Sequence, residues 1–245
     1  MTSWPAMTIA EAHAILTAPG SRFETENLVI RGVPTTVWKN APPTLRDMVT
    51  NGRAFPDREF IVHEDDRVTF EAFHRAVAAL AERLAFDGVR KGDRVALIMR
   101  NLPEWVVSFY AAISLGAVVT PLNAWWTGPE LEYGLTDSGT KIALMDAERY
   151  ERMTEHLPNC PDLAPVYVSR AREEIDHTLV TKLEDVIGSP DAWQDLPDRP
   201  LPTITFEKPK AGAPIVARPR PAPPKVETPS APAKLNREGT IDPFK

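Results

Sequence analysis

The stretch from Val68 to Asp146 constrains this chain most, because helical and strand patterns alternate along it with turn chemistry in every gap. Thr69 is placed to cap a first helix, with Glu71 in its opening turn, where a carboxylate suits the positive end of the dipole. Phe70, Phe73, Val77, Leu80 and Leu84 recur at helical period, so this helix is predicted to be amphipathic, with Gly88 at its left-handed end. Arg94 to Met99 follows as a continuous apolar run, the pattern of a strand covered on both faces. Asn101 or Leu102 opens a second helix with Pro103 and Glu104 in its first turn, and Gly116 closes it. Val106, Phe109, Tyr110 and Ile113 form a bulky stripe on that helix, while Ala111, Ala112 and Ser114 allow a close approach to a neighbour. A strand at Ala117 to Leu122, a helix capped by Thr127 and stopped by Asp137-Ser-Gly139, and a strand at Lys141 to Met145 complete the unit. Helices of this length joined to strands by short loops imply right-handed crossovers. The expected fold class is α/β, a mainly parallel sheet with helices on both faces.

Flanking elements follow from the same signals. Thr8-Ile-Ala-Glu11 matches a capping box ahead of a short helix that Pro19-Gly20 ends. Phe23 to Ile30 and Thr35 to Trp38 read as a hairpin around the turn Arg31-Gly-Val-Pro34. A helix is expected over Thr44 to Gly52, a strand over Glu59 to His63, a helix over Glu148 to Leu157 and a strand over Val166 to Ser169. His63 has no catalytic neighbour in the pattern and is read as structural. From Phe206 to Lys245 the composition turns proline-rich and basic with few bulky apolar residues, a segment that cannot bury enough surface to order itself and is expected to be a disordered tail. The domain reading is therefore 1–43 for the N-terminal helix and hairpin, 44–203 for the α/β body and 204–245 for the tail.

The body also carries a family resemblance. Val68-Thr-Phe-Glu-Ala-Phe73, Gly88-Val-Arg-Lys-Gly-Asp-Arg-Val-Ala-Leu97, Asn101-Leu-Pro-Glu-Trp105, Leu115-Gly-Ala-Val-Val-Thr-Pro-Leu-Asn123, Glu130-Leu-Glu-Tyr133 and Asp137-Ser-Gly139 resemble, in order and spacing, the N-terminal subdomain of AMP-forming acyl-CoA synthetases of the adenylate-forming superfamily. Ile30 to Pro42 resembles the opening of the CoA ligases in particular. The resemblance implies an ATP-dependent, AMP-forming ligase of a fatty acid or related carboxylate, using ATP, Mg and coenzyme A in full-length members, and an acid-thiol ligase activity for the whole enzyme.

At the junction near Thr203 to Phe206 that pattern calls for a loop of the form T-S-G-T-T-G-x-P-K-G, whose backbone N–H groups and lysine hold the ATP phosphates. Lys208-Pro-Lys210 with Ala211-Gly212 superficially resembles its end, but the Ser/Thr-Gly repeat is missing, so these residues are read as compositional chance. The family's ribose-binding aspartate, magnesium-binding acid and C-terminal lysine lie beyond the region covered. Hence no catalytic, cofactor-binding or metal-binding residue is assigned; the chain alone is expected to bind no cofactor and to be inactive, as a truncated or frame-shifted ligase. Asn123, Trp125 and Trp126, just past a parallel strand, could line a ligand crevice. The preferred reading is that the two tryptophans cover a partner subdomain.

Two alternatives come from other readings of the same residues. One is a non-catalytic interaction module whose Arg218-Pro-Arg-Pro221-Ala-Pro-Pro224 offers a basic PxxP ligand to a Pro-rich-motif binder. The other is one half of a split ligase, partnered by a chain that supplies the remainder of the synthetase. Because further sheet should pack on this body, self-association or marginal stability is expected. The net charge of −6 argues against general nucleic-acid affinity, no apolar run approaches the roughly 18 residues of a transmembrane span, and no basic-then-apolar leader opens the chain. The single cysteine, Cys160, builds no disulfide framework and is read as inert, which suits a reducing, cytoplasmic setting.

Overall fold

Four of the helices start at a threonine cap. In the computed structural model, which describes residues 6–30, 32–172, 175 and 179–204, Thr8, Thr44 and Thr127 close capping boxes on α1 (Ile9–Leu16), α2 (Leu45–Gly52) and α5 (Gly128–Ser138). Thr69 caps α3 (Phe70–Phe86) by accepting from the Ala72 N–H at 3.2 Å. α4 (Pro103–Ser114) uses Pro103 at its first turn instead, where no intrahelical donor is lost. Gly139, at φ 62°, ends α5 in the left-handed region that a side chain would resist.

β5 (Arg94–Ile98), β6 (Val118–Pro121), β7 (Ile142–Asp146), β8 (Val166–Ser169) and β9 (Val180–Lys182) form one sheet in the order β6-β5-β7-β8-β9, parallel throughout. Successive side chains go to opposite faces. Val95, Leu97, Ile142, Leu144 and Tyr167 join the core with α3 and α4, whereas Ala96, Ile98, Ala143, Met145, Val166 and Val168 join the core under α5 and α6 (Ala147–Met153). Both faces are covered, as the unbroken apolar runs require, and the expected α/β class with a parallel sheet holds.

Several elements differ from expectation for local physical reasons. α3 is buried nearly all round rather than along one stripe, because α4 packs on one side and the segment after α7 (Glu184–Ile187) wraps another. Trp193 in that wrap is fully buried, with its indole N–H on the Gly188 carbonyl at 3.1 Å, and Arg75 of α3 donates to the Leu196 carbonyl at 2.8 Å. On α4 the deepest face is the one of small and polar residues, Val107, Ser108, Ala111, Ala112 and Ser114, which lets the helix lie close. Val106, Phe109, Tyr110 and Ile113 remain half-buried, with Tyr110 edge-on to Phe73 at 5.5 Å. Two short strands lack the length for a periodic signal: β4 (Asp66–Thr69), paired with β3 (Glu59–His63), and β9. α6 stops at Met153 instead of reaching Leu157; Pro158 sits in a separate 3-10 turn, consistent with its restriction of the preceding residue.

The N-terminal hairpin is present as β1 (Thr25–Ile30) against β2 (Val33–Trp38). Pro34 lies inside β2 opposite Val29, not in the turn, because a strand position facing away from its partner needs no N–H. The tail residues singled out above, Lys208 to Gly212 and Arg218 to Pro224, lie outside the described residues, as does any test of the tail's disorder.

Candidate functional site: the carboxyl edge of the sheet

In the strand order β6-β5-β7-β8-β9 the chain reverses direction across the sheet at β5 and β7, and open α/β sheets bind ligands in the crevice outside the carboxyl ends at such a switch point. Here that edge is made by the residues following β5, β6, β7 and β8.

An aspartate and an arginine fill the centre. Asp146 ends β7 and caps α6, accepting from the Arg149 N–H at 3.1 Å, and its other oxygen accepts the Arg100 N–H at 2.9 Å from the end of β5. The Arg149 side chain is almost wholly buried; its Nη1 donates to both Asp146 oxygens at 3.2 Å and to Glu148 at 2.9 Å, and its Nε to the Ala124 carbonyl at 2.7 Å. Arg149 Nη2 is buried and finds no hydrogen-bond partner among the described residues. Arg152 adds bonds to the carbonyls of Ala124 and Trp126, each at 3.2 Å, and an ion pair with Glu148. Desolvation works against ionised Glu148, but Arg149 and Arg152 hold its carboxyl below the usual range. The loop after β6 is thereby tied to α6 by guanidinium-to-carbonyl bonds.

A second pair closes the neighbouring section. Glu104, buried in the first turn of α4, receives Arg170 from the end of β8 in a two-pronged contact at 2.9 and 3.3 Å. Arg170 also reaches Asp66 at 3.1 Å, and its backbone N–H donates to Glu184 at 2.6 Å, with the residue held at φ 54°. Burial opposes the charge on Arg170, yet Glu104 and Asp66 keep its pKa raised. Ser108 and Ser169 have buried hydroxyls without a partner among the described residues.

The residues singled out in the sequence separate here. Trp125 is exposed, its ring under the Arg100 guanidinium at 4.1 Å, and its backbone N–H donates to Asn123 Oδ1 at 2.9 Å. Trp126 instead packs on the core beneath α5 and α6. The two tryptophans therefore do different things, and only Trp125 presents an aromatic face outward. His63 lies 3.8 Å from Asp66 across the β3–β4 hairpin. Cys160 is buried, which raises its thiol pKa, beside a cavity of about 30 Å³ lined by Leu135, Thr136 and Pro161.

Among the described residues no group of three or more His, Cys, Asp or Glu side chains could hold a metal ion. The carboxylates of Asp146 and Glu104 at this edge are each engaged by an arginine. Sequence reading missed Glu104, Asp146, Arg149 and Arg170. Glu104 was visible only as a first-turn acid, and its partner stands 66 positions away.

The family model described as AMP-binding enzyme matches residues 21–231, a span that runs into the proline-rich segment. The chain is 33% identical over 121 residues to the 2-succinylbenzoate–CoA ligase of Bacillus subtilis, covering 49% of this chain and 25% of that protein. It is 34% identical over 102 residues to the long-chain-fatty-acid–CoA ligase of the same organism, covering 41% and 18%. The chain thus spans a quarter or less of these curated relatives. Among solved structures, the putative long-chain-fatty-acid CoA ligase from Rhodopseudomonas palustris superposes with a TM-score of 0.56 at 23% identity, over 66% of this chain and 38% of that one, a likeness of fold.

Proposed function

This chain belongs to the AMP-binding enzyme family, and we propose that it supplies the N-terminal scaffold of an ATP-dependent, AMP-forming CoA ligase of a fatty acid or related carboxylate, and that it does no chemistry alone. In this reading residues 44–203 are the scaffold, 1–43 an N-terminal arm and 204–245 a tail beyond the functional pattern, in a cytoplasmic enzyme. No helix among the described residues is long and apolar enough to cross a membrane.

One observation carries the reading. At the switch point, where a catalytic member of such a sheet would present free acids or a phosphate cradle, Asp146 is locked by Arg149 and Glu104 by Arg170. Buried acids paired in this way hold backbone segments in register, and as ionised carboxylates they have no proton to give a substrate. The charge stabilisation that phosphoryl chemistry demands must come from elsewhere in the enzyme.

The test is ATP–pyrophosphate exchange by the purified chain with a panel of carboxylic acids. No exchange is expected from the chain alone, and exchange on addition of a polypeptide carrying the phosphate loop and C-terminal lysine would establish the scaffold role. Exchange by the chain alone overturns it.

A further inference from the structure

We propose that residues 197–204 form a strap that acid releases from the α/β body, with His74 of α3 as the group that takes up the proton. Ile204 is the last described residue, so the strap's attachment sets where the chain leaves the body. A release governed by one buried imidazole would make that exit responsive to pH.

The strap is held by side chains and not by a backbone ladder. Ahead of it the wrap is firm: Trp193 is fully buried in the 3-10 turn Pro190–Asp195, and Arg75 donates to the Gln194 and Leu196 carbonyls at 3.2 and 2.8 Å. Beyond Leu196 no backbone-to-backbone hydrogen bond reaches the strap among the described residues. Pro197, Pro200 and Pro202 have no N–H to offer. Three arginines fasten it instead. Arg53, at the end of α2, donates to Asp198 at 2.9 Å; Arg199 pairs with Glu82 of α3; Arg46 of α2 donates to the Leu201 and Pro202 carbonyls at 3.2 and 2.9 Å. A segment with little burial and no backbone ladder is among the first to open.

His74 lies beside the first of these fasteners. It is 3% exposed, and its Nδ1 is buried without a hydrogen-bond partner among the described residues. The charged groups acting on it are Arg53 after α2, Glu71 and Arg75 of α3, and Asp198 of the strap. Arg53 bridges the two acids, 3.2 Å from Glu71 and 2.9 Å from Asp198, and Arg75 holds Glu71 at 3.0 Å. With a neutral imidazole, the two arginines and two acids balance. A proton on His74 adds a third cation in a place shielded from water. Asp198 is half-exposed, so lifting the strap is the move that lets water reach the imidazolium. Burial, and next the Arg53 charge, push His74 below its ordinary 6.5 while the strap is attached; hydration in the lifted state returns it toward that value. The lifted state therefore binds the proton more readily. Its population relative to the attached state rises as pH falls below 6.5, by up to about tenfold per pH unit for one proton taken up.

Spin labels on the full chain at Phe86→Cys, at the end of α3, and Thr203→Cys, on the strap, read the attachment; both positions are exposed, and Cys160 is buried and does not compete. The distribution of label-to-label distances should be narrow at pH 7.5 and gain a broad component as pH falls to about 5, while far-UV circular dichroism stays constant. His74→Gln should keep the distribution narrow over the same range. Asp198→Asn, a surface change that weakens the Arg53 fastener, should show the broad component already at pH 7.5. The proposal is overturned by a distribution that stays narrow throughout, by a full acid response in His74→Gln, by a narrow distribution in Asp198→Asn, or by helix loss in step with strap release. None of these readouts depends on ligase activity.

Discussion

The N-terminal arm and the α/β body are built from equally good local signals, yet they differ wholly in what those signals accomplish. Thr8 caps α1 with a capping box as complete as that of Thr44 on α2, and the hairpin pairs along its full length. Among the arm's described residues nothing is buried: Ile9 is 90% and Val29 73% exposed. In the body Leu80, Leu97, Ile142 and Trp193 are fully buried, each such side chain contributing about 1.5–3 kcal/mol by removal from water. Capping and pairing set local conformation, and burial sets global stability. Substitutions of similar kind should therefore have unlike effects in the two regions.

The largest contrast is expected inside the core. Trp193→Ala removes the buried indole that covers α3 and its bond to Gly188, and should cost about 3–5 kcal/mol in chemical denaturation. Ile9→Ala in the arm should stay within about 0.5 kcal/mol. An equal loss at the two positions would break the comparison. Arg149→Ala should be nearly as severe as Trp193→Ala, about 3 kcal/mol or more, because it leaves the buried Asp146 carboxylate without its cation and takes one of two guanidinium bonds from the Ala124 carbonyl. Replacement of the pair together should recover part of that loss in a double-mutant cycle.

The caps sharpen the contrast at smaller scale. Thr69→Ala should cost about 1 kcal/mol of global stability, since α3 is the centre of the body. Thr8→Ala should leave the global melt unmoved and show only as faster amide exchange in α1. The smallest effect concerns pH. His74 is buried in α3 with its pKa lowered, first by desolvation and then by the Arg53 charge, while Glu71 and Asp198 oppose the shift. A depressed imidazole means that the unfolded chain binds the proton more readily. Its contribution is present above the ordinary value of 6.5 and is lost as pH falls below it toward the folded value. Stability measured from pH 7.5 downward should decline, and His74→Gln should flatten that decline; an unchanged slope would assign it to other groups.

Chain-local chemistry determined the main helices and most of the strands. Caps at Thr8, Thr69 and Thr127, the stop at Gly139, and the strands Glu59–His63 and Val166–Ser169 were all legible, because their signals act within a turn or a pleat. Family membership was legible too, since its motifs are contiguous runs. Tertiary structure alone decided the rest. Which side of α4 packs deepest depended on how closely Ala111 and Ala112 let it approach, and burial of α3 nearly all round depended on Trp193 arriving from more than a hundred positions away. At the carboxyl edge, Glu104 and Arg170, or Arg149 and the Ala124 carbonyl, are joined only once the crossovers have brought strand ends together. A sequence states each side chain's preference within its own element. The partner that satisfies a buried charge is chosen by chain closure.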